Sequence, residues 1–144
     1  DQDGTITGIK GGTAVITAKA YNGISSSMEV TVNPSKKLMN LRVNYTRDDD
    51  NNIGDEWSYT TEINGENTGR DYVVTVGESI KLRIKFVEED DNPDVGEAEK
   101  TYKVTEEDLE NGFTVPLELY VKENGGRNSG KSAHFNVEYN FTLK

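Results

Sequence analysis

Apolar side chains recur at every second position over most of the chain. Met39, Leu41, Val43 and Tyr45 alternate with Asn40, Arg42 and Asn44; Trp57, Tyr59, Thr61 and Ile63 alternate with Ser58, Thr60 and Glu62. Ile80, Leu82, Ile84 and Phe86 are separated by Lys81, Arg83 and Lys85. Two further rows are Phe113–Val115–Leu117–Leu119–Val121 and Ala133–Phe135–Val137–Tyr139–Phe141–Leu143. A period of two is the mark of strands with one buried face. A shorter strand is expected over 71–76, and turns at the clusters of Gly, Asn and Asp between the rows. One stretch breaks the pattern: in TEEDLENG, 105–112, Thr105 can cap, acids fill the first turn and Gly112 can stop it, so a single helical turn is expected. The fold class is therefore all-β, an antiparallel sandwich with one short helical turn.

Composition narrows this further. Only 33% of the 144 residues are hydrophobic and the mean hydropathy is −0.75, so the core is thin, as in two layers of short strands. No run reaches the ~20 apolar residues that span a bilayer as a helix. The net charge is −10, from 26 acidic against 16 basic residues, which opposes binding to nucleic acid and to anionic membranes and suits divalent cations. There is no cysteine, so disulfides and thiolate metal sites are excluded. The chain opens at Asp1 with no charged-then-apolar leader, as an internal fragment would, and this leaves an upstream signal peptide open.

GGRNSGKS, 125–132, matches the phosphate-loop pattern G-x-x-x-x-G-K-[ST]. Such a loop works between a parallel strand and a helix, whose N-terminus faces the phosphates. Here AHFNVEYNFTL comes next, with strand periodicity, so a hairpin turn using Gly125, Gly126 and Gly130 at positive φ is expected, and no nucleotide.

The candidate chemistry lies in two acidic loops, RDDDNNIGDEW (47–57) and VEEDDNPDVGEAE (87–99). Clustered carboxylates on turns are how proteins supply the ~6–8 oxygens that calcium takes. The candidate metal ligands are Asp48, Asp50, Asp55, Asp90, Asp91 and Asp94, with calcium as the candidate cofactor and plain solvated turns as the alternative. Counted from Asp48, the first loop fails as an EF-hand, because Gly54 arrives one place late and Tyr59 stands where a Glu is needed. Three strands are read between the loops, and in simple up-and-down order an odd number places them at opposite ends, whereas a crossover between sheets or one missed strand reunites them, so two separate sites and one shared site both stay open. Trp57 lies on an apolar row and reads as core or core edge, Tyr120 as an exposed aromatic, and Lys81, Arg83 and Lys85 as a stripe that is solvated, edge-protecting or salt-bridged to an acidic partner. His134, the one histidine, falls on an outward face without a second histidine, and no nucleophile–base pair stands out, so no enzyme is read.

The first third, DGTITGIKGGTAVITAKAYNGISSSMEVTVNP, differs from the remainder of the chain. Through Asp3, Gly4, Thr7, Gly8, Gly12, Thr13, Ala14, Ile16, Thr17, Ala18, Gly23, Val30 and Val32 it resembles the C-terminal half of a bacterial immunoglobulin-like domain of group 2. The resemblance covers residues 1–33 and implies a partial domain over 1–34, joined by NPSKK to a second domain over 38–144. A half-domain buries little, so it must be disordered, dock on its neighbour, or self-pair with another chain. VTVGESIKLRIKF and ENGGRNSGKSAHFNVEYNFTL are similar to immunoglobulin-like bacterial repeats. The acidic loops resemble those of calcium-dependent phospholipid-binding sandwiches, through Gly54, Asp55 and Tyr59 in one and Val87, Asp90 or Asp91, Asp94 and Gly96 in the other. The resemblances imply a non-catalytic module of a bacterial surface or secreted protein, extracellular, acting in adhesion or as a spacer, with a surface carbohydrate or protein as partner. They leave two alternatives: a decoration domain of a phage virion, and a calcium-dependent membrane- or ligand-binding module.

Overall fold

The computed structural model describes residues 4–48, 54 and 56–144. Its first two strands, β1 (Gly12–Lys19) and β2 (Ser25–Val32), form a hairpin and pair only with each other. Val15, Ile24 and Met28 on this hairpin stay exposed, as expected where so few strands have nothing to pack against.

The remaining strands are β3 (Lys36–Arg47), β4 (Trp57–Ile63), β5 (Glu66–Asn67), β6 (Asp71–Thr75), β7 (Ser79–Glu88), β8 (Asp94–Lys103), β9 (Phe113–Lys122) and β10 (Ser132–Leu143). They form two antiparallel sheets, ordered β6-β3-β10-β9 and β5-β4-β7-β8. The antiparallel sandwich expected from the periodicity is what is found. Each apolar row turns inward: Ile80, Leu82, Ile84 and Phe86 from one sheet meet Phe135, Val137, Tyr139 and Phe141 from the other, all fully or almost fully buried. Phe86 stacks on Phe135 at 4.1 Å between ring centroids, and Trp57 meets the same ring edge-on at 5.0 Å. Such aromatic pairs contribute about 0.5–1.5 kcal/mol beyond the area they bury.

The helical turn is also found. α1 (Glu106–Asn111) links β8 to β9 and so carries the chain from one sheet to the other. The Thr105 side chain accepts from the Asp108 N–H, the Asp108 carboxylate accepts from the Thr105 N–H, and Gly112 stops the helix at φ 77°. At Gly96 the two sheets approach closely: a Cβ there would stand 2.6 Å from the Tyr120 carbonyl oxygen.

Two expectations need correction. The second acidic stretch is not a loop over 87–99: β7 runs to Glu88 and β8 begins at Asp94, leaving a five-residue turn, 89–93. The pattern hid β8 because its inward positions, Asp94, Gly96 and Ala98, are acidic or small rather than large and apolar. Its outward carboxylates meet the basic stripe of β7, with Lys81 on Glu99 at 2.8 Å and Arg83 on Glu97 at 2.6 Å. Since β7 lies between β4 and β8, that stripe is a cross-strand ion-pair ladder and not edge protection.

The second correction concerns the poles. Between the acidic stretches lie four strands, not three, because the two-residue β5 precedes β6, and β6 belongs to the other sheet. The β3–β4, β7–β8 and β9–β10 connections consequently gather at one pole. There Trp57 pairs with Glu88, Glu88 with Asp94, and Lys122 with Ser132. At the other pole Met39 pairs with Leu143, so the chain enters the sandwich in β3 and leaves it in β10 at the same end.

Candidate functional site

Inward rows on three strands end in carboxylates at the acidic pole. In β7 the row Ile80–Leu82–Ile84–Phe86 continues to Glu88; in β9 the row Val115–Leu117–Leu119–Val121 continues past the strand end to Glu123; in β8 the inward positions begin at Asp94. An acidic cap thus closes the core where a further apolar layer would otherwise stand.

Glu88 is buried, 5% exposed, and its Oε2 has no hydrogen-bond partner among the described residues. Gly54 packs directly against this side chain; a Cβ at Gly54 would fall 2.0 Å from Glu88 Oε1. Burial pushes the Glu88 carboxyl above its ordinary range, and the negative charges of Asp90, Glu123 and Asp94 push it the same way. The Asp90 carboxyl also lies within hydrogen-bonding reach of it. Two carboxylates that close can share a proton or a cation, but cannot comfortably both stay charged and bare.

Asp94, 4% exposed, is engaged differently. Its oxygens accept from the Asn124 backbone N–H, at 3.2 Å each, and from Asn124 Nδ2 at 2.7 Å. This carboxylate therefore ties the β7–β8 turn to the β9–β10 loop. Asp90 is exposed and accepts the Asn92 N–H at 2.7 Å, closing the turn locally. Asp91 is exposed on the same turn. Asp48 points elsewhere: its N–H donates to the His134 carbonyl at 2.9 Å and its carboxylate accepts from Asn136 Nδ2, on the outer face of the other sheet. Asp50 and Asp55 lie outside the described residues.

Of the sequence candidates, the structure brings Asp90 and Asp94 together and leaves Asp48 apart. Glu88 and Glu123 were missed, although a signal existed, since each sits in register with an apolar row and so had to face inward. As they stand, no three acidic or histidine side chains among the described residues are drawn closely enough together to hold a metal ion.

The neighbouring groups are structural. Trp57 is half-buried, as expected of a core edge, and its Nε1 donates to the Gly54 carbonyl at 3.1 Å. Arg47 donates to the same carbonyl at 3.0 Å, its guanidinium 5.2 Å from the Trp57 ring centroid. Tyr120 is exposed on the outer face, as expected, and its ring stacks at 4.4 Å on His134, its pairing partner. This covers much of the histidine and leaves its Nε2 3.9 Å from Glu118. Residues 123–131 join the antiparallel β9 and β10, closed by the Glu123 N–H to Lys131 carbonyl bond at 3.0 Å, and a strand rather than a helix comes after them. Gly126 and Gly130 take positive φ; Gly125 does not. In comparisons with known proteins, no family model, no curated protein and no solved structure matches this chain.

Proposed function

We propose that this chain is a non-catalytic β-sandwich module of a bacterial surface or secreted protein, working in adhesion by presenting its acidic pole. The polarity of the sandwich carries this reading. The chain enters in β3 and leaves in β10 at one pole, where Met39 pairs with Leu143 and α1 also lies, while the acidic β3–β4 and β7–β8 connections occupy the other. With 12 residues, β10 separates the poles by about 40 Å. A spacer in a linear array receives the chain at one pole and releases it at the other. Here both connections leave by one pole, so the acidic pole stands clear of them, an arrangement that favours presentation over spacing. The likeness of residues 1–33 to a group 2 immunoglobulin-like domain supports a surface setting, with a carbohydrate or protein of the opposing surface as partner.

The test attaches the full chain to beads through a tag after Lys144 and measures retention on glycan arrays and on epithelial cells. Reversing charge at the acidic pole (D90K with D91K) is expected to abolish retention. Reversing it at the opposite pole (K36E with K37E) is expected to leave retention intact. Equal behaviour of the two variants, or retention no greater than that of bare beads, would overturn the reading.

A further inference from the structure

We propose that the carboxylate cap of the acidic pole binds one hard divalent cation, with Glu88, Asp90 and Glu123 as its protein ligands and calcium as the ion that fits. This goes beyond the adhesive reading and does not depend on it.

Two independent observations meet here. The first is the placement at one pole of carboxylates from two hairpins: Glu88 and Asp90 from the β7–β8 pair, and Glu123 from the end of β9. The second is that Glu88, 5% exposed, keeps a buried oxygen with no donor among the described residues. A buried anionic oxygen must take a proton, a donor or a metal, since leaving it bare forfeits its hydration without any return. Two basic side chains of the adjoining segments are engaged with other groups. Arg47 is held on the Gly54 carbonyl over Trp57, and Lys131 Nζ donates to Asn128.

The donor set selects the ion. All the oxygens are carboxylate, the chain has no cysteine, and its single histidine lies on the outer sheet face, which excludes the usual zinc sets. Magnesium demands near-octahedral geometry and holds its water tightly, whereas calcium accepts irregular, flexible oxygen shells and completes them with water and carbonyls. Asp94 adds its charge at the same pole while its oxygens accept from Asn124. Glu88, Asp90 and Glu123 are not drawn up to ligand distance. The ion would pull the turn and the loop together across the tie that Asp94 and Asn124 already make.

The test is calorimetric titration of the full 144-residue chain with calcium chloride and with magnesium chloride, plus melting curves at both end points. One calcium per chain is expected, with Kd of ~0.1–1 mM as in extracellular modules, and a melting temperature that rises with calcium. E88Q and E123Q should each weaken binding by at least about tenfold. E88Q should also melt higher than the parent without calcium, because its amide removes the buried charge. D48N should bind as the parent does. Absence of saturable binding up to about 10 mM calcium, binding that survives both E88Q and E123Q, or magnesium binding as tight as calcium would each overturn the proposal. None of these readouts involves adhesion, so failure here is distinct from failure of the adhesive reading.

Discussion

If Asp94 is the tie between the β7–β8 turn and the β9–β10 loop, its truncation has a calculable cost. In the D94A variant, two donors of Asn124 lose their acceptor: the backbone N–H, shared between both oxygens at 3.2 Å, and Nδ2 at 2.7 Å. A hydrogen bond to a charged acceptor contributes about 1.5–3 kcal/mol net. Asn124 is exposed, so its freed donors turn to water and no orphan-donor penalty is added. Removing a negative charge beside Glu88 works in the opposite direction. The net loss should therefore be about 1–3 kcal/mol, nearer one good charged bond than two. For a sandwich of this size that lowers Tm by roughly 4 °C per kcal/mol. Because Glu88 complicates the single variant, the decisive quantity is the coupling in a double-mutant cycle of D94A with N124G, which removes the Nδ2 donor while keeping the N–H. Urea melts of parent, both single variants and the double variant should give a coupling of about 1 kcal/mol or more, with unchanged m-values. Additivity within ~0.3–0.5 kcal/mol would refute the tie.

Three further outcomes are expected. In G96A the new methyl meets the Tyr120 carbonyl and the Val121 side chain, so urea melts should show a loss of about 1–3 kcal/mol from overpacking. T105A removes the side-chain half of the α1 capping box and should cost about 1 kcal/mol, read the same way. The raised Glu88 carboxyl makes the third prediction one of sign. Its folded form resists charging more than its unfolded form, so its penalty is full above the raised folded value, fades as pH falls through it, and is gone below the ordinary carboxylate value. Without calcium, the Tm advantage of E88Q over the parent should therefore shrink from about pH 7 towards about pH 4.5; a constant advantage would contradict the burial of a charged Glu88.

The rows of the core were legible because each pairs large apolar residues inward with polar ones outward, as in Ile80–Phe86 and Ala133–Leu143. β8 was not, because its inward residues Asp94, Gly96 and Ala98 must be small or acidic where the sheets approach and the cap begins. The gathering of the acidic turns at one pole was also hidden. It depends on β5, two residues long, and on β6 crossing to the other sheet, and neither leaves a mark in periodicity. Charge density drew attention to Asp48, Asp90 and Asp91, which are exposed, and to Asp94, which is buried. The signal for Glu88 and Glu123, which went unread, was parity: they stand two residues beyond Phe86 and Val121 on the inward side. For a carboxylate in a strand, continuing the apolar row by one step says more about burial than counting its acidic neighbours.

A calcium titration followed by two-dimensional amide NMR tests most directly whether the turn after β7 and the loop after β9 form one cation site at a single pole. Saturable shifts concentrated in 88–94 and 123–131 are predicted, all fitting one affinity, with the opposite pole around Met39 and Leu143 unmoved. Shifts in the two segments with different affinities, or shifts confined to one of them, would contradict a shared site.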